Sequence, residues 1–217
     1  MLLQFKPDVA SMPKVEFRPF MVETAYDYLA TILTATHERG FVQETFGVLA
    51  IEIILKSFVA KVSGNPGELD ERYEVDKSHL PGRPGDLHNL KYLAQVLHPA
   101  VRTYLLDPAD EQEIEEHQDT FKKSRYTYER TAPHSSSDAP HRLAAKLVCK
   151  TIYLYNHQGC DDPFVKSFDV NKLYFSVVQP YAMVRAQVSS PRESHPQALP
   201  EPDVNLSIHP APIVQSS

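Results

Sequence analysis

Glu52 lies in the middle of the stretch 41–62, which is apolar on almost every face. In a helix its neighbours on most sides are apolar, so the side chain is expected to be at least half buried. A buried carboxylate without a partner is costly because it loses its hydration. Arg125, on the inward face of a later predicted helix, is the candidate partner. The sequence therefore predicts an interior ion pair between Glu52 and Arg125, and the alternative is a surface pair of Glu52 with Lys56 at i,i+4 spacing.

The ten histidines are the other candidates for chemistry, because the pKa of an imidazole lies near neutrality. His88 is expected at the start of a helix, where it either bonds a loop carbonyl or contributes to a site at the mouth of the preceding loop. His134 and His141 flank three serines, but no orienting third group or oxyanion glycine accompanies them, so a nucleophilic serine is not predicted. No His-x-x-x-His spacing occurs, and neither a metal nor a cofactor is predicted.

Hydrophobic periodicity predicts the helices that would position these residues. The stretch 41–62 is apolar on almost every face, yet its four charged residues make it a poor membrane span. Such a helix must be wrapped by others, so it is expected at the centre of a bundle. Further helices are predicted over 23–38, from 86 to a break at His98-Pro99, over 108–130 and over 141–157.

The segments between and beyond these helices have a different composition. Residues 63–85 hold four of the seven glycines and three prolines, and they are interpreted as a long excursion. After the bundle, residues 159–188 are predicted to pack on it as two short extended segments, 172–178 and 181–188, and residues 189–217 to form a mobile Pro-rich tail. The predicted fold class is all-α, a four-to-five-helix up-down bundle over 23–158 that follows an extended arm over 1–22.

Composition excludes several classes of protein. The net charge of −6 and the pI of about 5.9 argue against a strongly basic surface for nucleic acid, although a local patch stays open. Cys149 and Cys160 have no paired metal spacing and are interpreted as free thiols in a reducing compartment. The N-terminus has no charged start before a long apolar core, so no signal peptide is predicted. The expected location is the cytoplasm.

The order of several short motifs resembles the HEPN domain family of helical bundles. The matching pieces are Tyr28-Leu29-Ala30 in the first helix, the Glu-x-x-x-Lys of Ala50–Lys56 in the second, Asp86–Leu90 opening the third and Phe121–Glu129 closing the fourth. The match covers roughly residues 23–157 in order. The resemblance implies an all-α bundle that pairs as a homodimer in a prokaryotic stress or defence system, such as a toxin–antitoxin pair.

Catalytic members of that family resemble metal-independent ribonucleases, with an Arg, a polar residue and then a His four to six residues further on. The resemblance implies that the histidine moves the proton of a ribose 2′-hydroxyl while the arginine stabilises charge on phosphorus. The candidate pairs are Arg83 with His88, and Arg125 or Arg130 with His134. A proline follows the first arginine and the spacing of the other pairs departs from the pattern, so an intact Arg/His motif is not expected.

The function expected from this resemblance is a HEPN-like interaction module. It would self-associate as a homodimer or bind a protein partner through its helix faces, without any membrane. One alternative is a metal-independent ribonuclease with a rearranged Arg/His site and RNA as its partner. Another is a nucleotide-sensing bundle that uses a cleft beside residues 63–85.

Overall fold

The computed structural model describes residues 4–36, 40–68, 70–80, 86–120 and 136–180. Within these ranges the chain is mostly helical, which confirms the helical class. The α-helices are α1 (Pro19–Thr34), α2 (Gly40–Ser57), α3 (Leu90–Val96), α4 (Pro99–Leu105), α5 (Pro108–His117), α6 (Ala139–His157), α7 (Pro163–Ser167) and α8 (Val170–Leu173). The strands are β1 (Ala60–Gly64) and β2 (Arg72–Val75), and short 3₁₀ and π turns occupy Lys77–His79 and Tyr174–Val178.

Two helices share the centre of the molecule. Helix α2 packs against both α1 and α6, and α1 and α6 also touch each other. The central position expected for the apolar stretch is confirmed, because α2 buries residues on several faces, among them Ile51, Ile54 and Leu55. Helix α6 is equally central, since residues such as Leu147 and Ile152 are fully buried. Each such aliphatic side chain contributes about 2 kcal/mol through burial.

The start of α5 is fixed by a capping box. The Asp107 carboxylate accepts hydrogen bonds from the N–H groups of Ala109 and Asp110, and the Asp110 carboxylate accepts one from the N–H of Asp107. Lys146 of α6 donates to both carboxylates and so joins α5 to α6. Burial alone would raise the pKa of Asp107, but the hydrogen bonds from Lys146 and the backbone outweigh it and hold that pKa at about 2.

A β-hairpin follows α2 where the sequence predicted helix up to residue 62. Helix α2 ends at Ser57, whose hydroxyl donates to the carbonyl of Ile54, and strand β1 then pairs antiparallel with β2. The reversal is made by Asn65 and Gly67, which both take positive φ angles, 50° and 79°. The prediction for 58–62 was therefore wrong, because cross-strand pairing outweighed the local helical pattern. Residues 69 and 81–85 of the predicted excursion lie outside the described part.

Other predicted boundaries were displaced by local caps. Helix α1 begins at Pro19, four residues early, because proline is preorganised for the first turn. Helix α3 begins at Leu90, since Asn89 caps it by accepting from the N–H of Tyr92. The break at His98-Pro99 is confirmed and α4 follows it. Of the predicted helix 108–130, α5 confirms the first half, and residues 121–130 lie outside the described ranges.

The segment after α6 is helical and not extended. Gly159, at φ 84°, ends α6, and the Cys160 N–H returns to the carbonyl of Tyr155. Asp162 and Asp169 then cap α7 and α8, so the prediction of an extended segment over 172–178 was wrong. The predictions for 181–188 and for the tail 189–217 fall on residues that the structure does not describe.

The N-terminal segment from residue 4 to 18 lies across the bundle without helix or strand. The N–H of Val15 donates to the Gln158 side chain, which in turn donates to the carbonyl of Pro13. Arg18 is buried, and its guanidinium donates to the carbonyl of Ala60 in β1. None of the described helices has both the length and the apolar composition that a bilayer crossing needs.

Candidate functional site

Glu52 is the most informative polar group on the central helix. It is only 5% exposed, so the predicted burial is confirmed. Its Oε1 accepts from Nζ of Lys56 at 2.7 Å and lies 3.0 Å from Nδ1 of His88. Its Oε2 is also buried, and among the described residues it has no hydrogen-bond partner. One buried carboxylate oxygen is thus shared by two basic groups, while the other contacts no donor in the described ranges.

The turn before α3 positions the imidazole of His88. The Asp86 carboxylate accepts from the His88 N–H at 2.9 Å, and the Asn89 N–H donates to the carbonyl of Asp86. Asn89 then caps α3, which places His88 immediately before the helix and beside α2. The His88 side chain is 57% exposed, so one side of the ring faces Glu52 and much of the rest faces solvent.

The Glu52–His88 contact is a carboxylate–imidazole pair suited to proton transfer. A carboxylate that accepts from Nδ1–H favours the tautomer whose Nε2 is a proton acceptor, and it stabilises the imidazolium that forms when a proton is taken up. Lys56 adds a positive charge 2.7 Å from the same oxygen. In such an arrangement the imidazole of His88 can act as a general base, and the carboxylate of Glu52 orients its ring.

The structure brings together some of the residues predicted from the sequence. Glu52 and His88 are in contact, and the predicted Glu52–Lys56 pair forms, although both side chains are largely buried and the pair is not on the surface. The predicted partner Arg125 lies outside the described residues, so the interior Glu52–Arg125 pair stays a prediction. The remaining candidate residues that the structure does not describe are Arg83, Arg130 and His134.

A second carboxylate–imidazole pair lies about two helical turns earlier on α2. This pair was not predicted from the sequence. Buried Glu44 has Oε1 3.1 Å from Nδ1 of His117, and its Oε2 accepts from the N–H of Ser137 at 3.2 Å. Asn89 donates to Gln118, which joins the start of α3 to the end of α5. The signal that could have revealed this pair is the spacing of Glu44 and Glu52, because residues eight apart share one side of a helix.

One side of α2 is apolar but incompletely covered. Val42 is 47% exposed, and Phe46, Leu49 and Ile53 are only partly buried. These four residues, here called the α2 stripe, follow each other at i, i+4, i+7 and i+11 and therefore line one side of the helix. Tyr28 of α1 borders the stripe, with its ring 5.6 Å from that of Phe46. Helix α2 is therefore apolar on this side as well, although the other elements cover this side only in part.

A cleft of about 340 Å³ lies beside the hairpin. One of the alternative functions predicted from the sequence, nucleotide sensing, would use a cleft in this region. Its walls are the arm at Val15, the α2–β1 junction at Phe58 and the α3–α4 junction at Val96, with Lys61 and His98 also contributing. Its apolar side chains and mixed charges do not select one ligand class. The nucleotide alternative therefore stays a prediction.

The serine-rich segment gives no sign of nucleophilic chemistry in its described part. The Ser137 hydroxyl accepts from the N–H of Ala139 at the start of α6. Nδ1 of His141 is buried and has no hydrogen-bond partner within the described part of the chain, and burial lowers the pKa of that imidazole. No protein-family model, curated protein or solved structure matches the chain.

Proposed function

We propose that the chain is a HEPN-like helical module that works by association, with a second copy of itself as its partner. The observation that carries this proposal is the α2 stripe, an incompletely covered apolar face on the central helix. A helix that is apolar on all sides is stable only when every side is covered. A prokaryotic stress or defence setting follows from the resemblance alone.

The composition of the stripe favours a copy of this chain over a charged partner. Val42, Phe46, Leu49 and Ile53 carry no charge, and a two-fold axis near the middle of the stripe would set Val42 of one copy against Ile53 of the other. Thr45 beside the stripe donates its hydroxyl to the carbonyl of Phe41, so it can be buried without leaving an unsatisfied donor. The surface is self-complementary without needing any ion pair.

The stripe also borders the Glu52–His88 pair. Lys56 follows Ile53 by three residues and Leu49 by seven, so it lies at the edge of the stripe. Pairing of two copies through the stripe would therefore bring two Glu52–His88 pairs to the same interface. For active members of the family, the resemblance implies two Arg/His sites that face each other across a homodimer.

Changing Leu49 to lysine should raise the dissociation constant of the homodimer at least 100-fold. A two-fold interface would bury two such charges with no counter-ion, and desolvation of each is costly. Light scattering coupled to size-exclusion chromatography over a range of concentrations measures the effect. Leu33→Lys is the control for a new lysine on an apolar position, since Leu33, 43% exposed on α1, lies outside the stripe. A wild-type chain that stays monomeric at high concentration would refute the proposal.

The second candidate function is metal-independent cleavage of RNA, and the Glu52–His88 geometry favours it. His88 would take the proton of a ribose 2′-hydroxyl as that oxygen attacks phosphorus, and the 5′-oxygen would leave with a proton supplied by water, giving a 2′,3′-cyclic phosphate. An arginine, one of Arg83, Arg125 and Arg130 under the resemblance, would stabilise the charge that develops on phosphorus.

Incubation of the chain with single-stranded RNA in the presence of a chelator tests this candidate. If His88 is the base, His88→Ala should reduce the cleavage rate at least 100-fold, because general acid–base catalysis contributes about 10² to 10⁴. His134→Ala tests the other predicted histidine, and His98→Ala is a control outside both pairs. No cleavage by the wild type, or full cleavage by both His88→Ala and His134→Ala, would leave association as the function.

A further inference from the structure

We propose that Glu113, Glu116 and His117, at the end of α5, bind a divalent first-row transition-metal ion of the Zn²⁺ class. One donor atom from each of the three side chains lies within 4.8 Å of the other two. Their spacing at i, i+3 and i+4 puts all three on one side of the last helical turn. Carboxylate oxygens and an imidazole nitrogen are donors that zinc accepts. The proposal goes beyond association and RNA cleavage, neither of which uses a metal.

The orientation of His117 supports the proposal. Its Nδ1 lies 3.1 Å from the carboxylate of Glu44 and 3.3 Å from the hydroxyl of Thr120. Glu44 comes from α2 and is itself held by the N–H of Ser137. An outer carboxylate on one ring nitrogen is the usual way in which a metal-binding histidine is held, because it fixes the tautomer and makes the other nitrogen a better ligand. Glu44 would therefore act as a positioning residue and not as a ligand.

The other ring nitrogen of His117 is directed toward the carboxylates of α5. Nε2 lies 3.9 Å from Oε2 of Glu113, which is too long for a hydrogen bond, and no other hydrogen bond to Nε2 is present among the described residues. The His117 side chain is nevertheless largely buried. In the tautomer that carries its proton on Nδ1, the lone pair of Nε2 faces these carboxylates, and a cation between them would satisfy it.

The distances suit a metal after small side-chain rotations. Zinc bonds of about 2.0–2.1 Å in a tetrahedral site place the ligand atoms about 3.3 Å apart. The present separation of 3.9 Å between Nε2 of His117 and Oε2 of Glu113 is close to that value. Glu116 is exposed, and its carboxylate accepts from the Gln112 side chain at 2.8 Å, a contact that it would give up to reach an ion entering from solvent. Three protein ligands leave a fourth position for water.

Titration calorimetry with Zn²⁺, on the full chain stripped with a chelator and desalted, tests the proposal. We expect saturable binding of one ion per chain, at least tenfold weaker binding in Glu116→Gln, and a loss of 10- to 100-fold in Glu44→Gln. Glu115→Gln is the matched control, because Glu115 is exposed on the same helix but pairs with Lys91. It removes the same charge and should leave the affinity unchanged.

Titration with Co²⁺ gives a second readout, because its visible absorption reports coordination by nitrogen and oxygen. His117→Gln should remove the intense tetrahedral absorption, with circular dichroism as the check of folding. If His117→Gln unfolds, Zn²⁺ binding by Glu116→Gln still tests the proposal, because Glu116 is exposed. The absence of saturable Zn²⁺ binding in the wild type would overturn the proposal, and so would equal weakening by Glu115→Gln and Glu116→Gln.

Discussion

Replacement of Glu52 by glutamine should lower the free energy of unfolding by about 3 kcal/mol. The carboxylate is 5% exposed, and its Oε1 receives hydrogen bonds from Lys56 and His88. Removal of the negative charge leaves the Lys56 ammonium, whose side chain is 19% exposed, without this counter-ion. This loss of free energy of unfolding is at the low end of the range for breaking a buried ion pair, because His88 stays in contact with water. Urea denaturation at neutral pH, followed by circular dichroism, measures it.

Glu74→Gln is the control for the loss of charge. Glu74 pairs with Lys61 on the hairpin at 3.1 Å, but both side chains are half exposed or more, so the expected cost is below about 1 kcal/mol. Equal effects of the two substitutions would contradict the assignment of Glu52 as a buried charge that needs its partners.

The same substitution tests the predicted interior pair with Arg125. The Oε2 atom of Glu52, buried and without a partner among the described residues, is the atom that a guanidinium would satisfy. A double-mutant cycle of Glu52→Gln with Arg125→Gln should then give a coupling energy above about 1 kcal/mol. Additive effects of the two substitutions would remove the pair and leave Lys56 and His88 as the partners of Glu52.

Gly47→Ala should lower the free energy of unfolding by about 2 kcal/mol. A Cβ atom at Gly47 would lie 2.7 Å from the backbone nitrogen of His141 and 2.8 Å from the carbonyl carbon of Pro140. These atoms belong to the start of α6 and are unable to move aside by a change of rotamer. Overpacking costs about 1–3 kcal/mol, while alanine returns at most about 1 kcal/mol of helix propensity.

Gly64→Ala is the matched control for this substitution. A Cβ at Gly64 meets its nearest neighbours, atoms of Arg72, at 3.6 Å, an ordinary van der Waals distance. That variant should keep or slightly exceed the wild-type stability, because alanine restricts the unfolded chain. Thermal and urea denaturation of both variants measure the difference. A Gly47→Ala chain as stable as the wild type would show that α6 does not approach α2 as closely as described.

The close approach at Gly47 matters beyond stability. Glu44 precedes it by three residues and is held by the N–H of Ser137, just before α6. Displacement of α6 would therefore move Ser137 away from Glu44 and loosen the carboxylate that orients His117. For this reason Gly47→Ala should also weaken Zn²⁺ binding if the metal site exists.

Much of the helical framework could be predicted from local sequence. The apolar stretch containing Glu52 predicted a central helix and a buried carboxylate, and both are confirmed. Helical periodicity also located α6, because that signal comes from residues three and four apart. The first half of α5 could also be predicted from local sequence, because Asp107 and Pro108 are a strong signal for the start of a helix.

The failures have physical causes as well. The helix predicted to continue to residue 62 gave way to β1, because pairing with β2 depends on residues beyond the turn at Asn65. The segment 172–178 contains residues with strand propensity, but the Asp169 cap and packing against α6 make it helical. In both places the deciding interactions were outside the window in which propensity is judged.

By itself, the sequence determined that this chain forms helices, that one of them must be central, and that Glu52 would be buried. Those properties follow from composition and periodicity over one helix length, where the interacting residues are neighbours in the chain. Only the tertiary structure decided that His88 meets Glu52, that His117 meets Glu44, and that one side of α2 stays partly open. The reason is that these contacts join separate helices, and their geometry depends on how closely whole elements pack, as Gly47 illustrates.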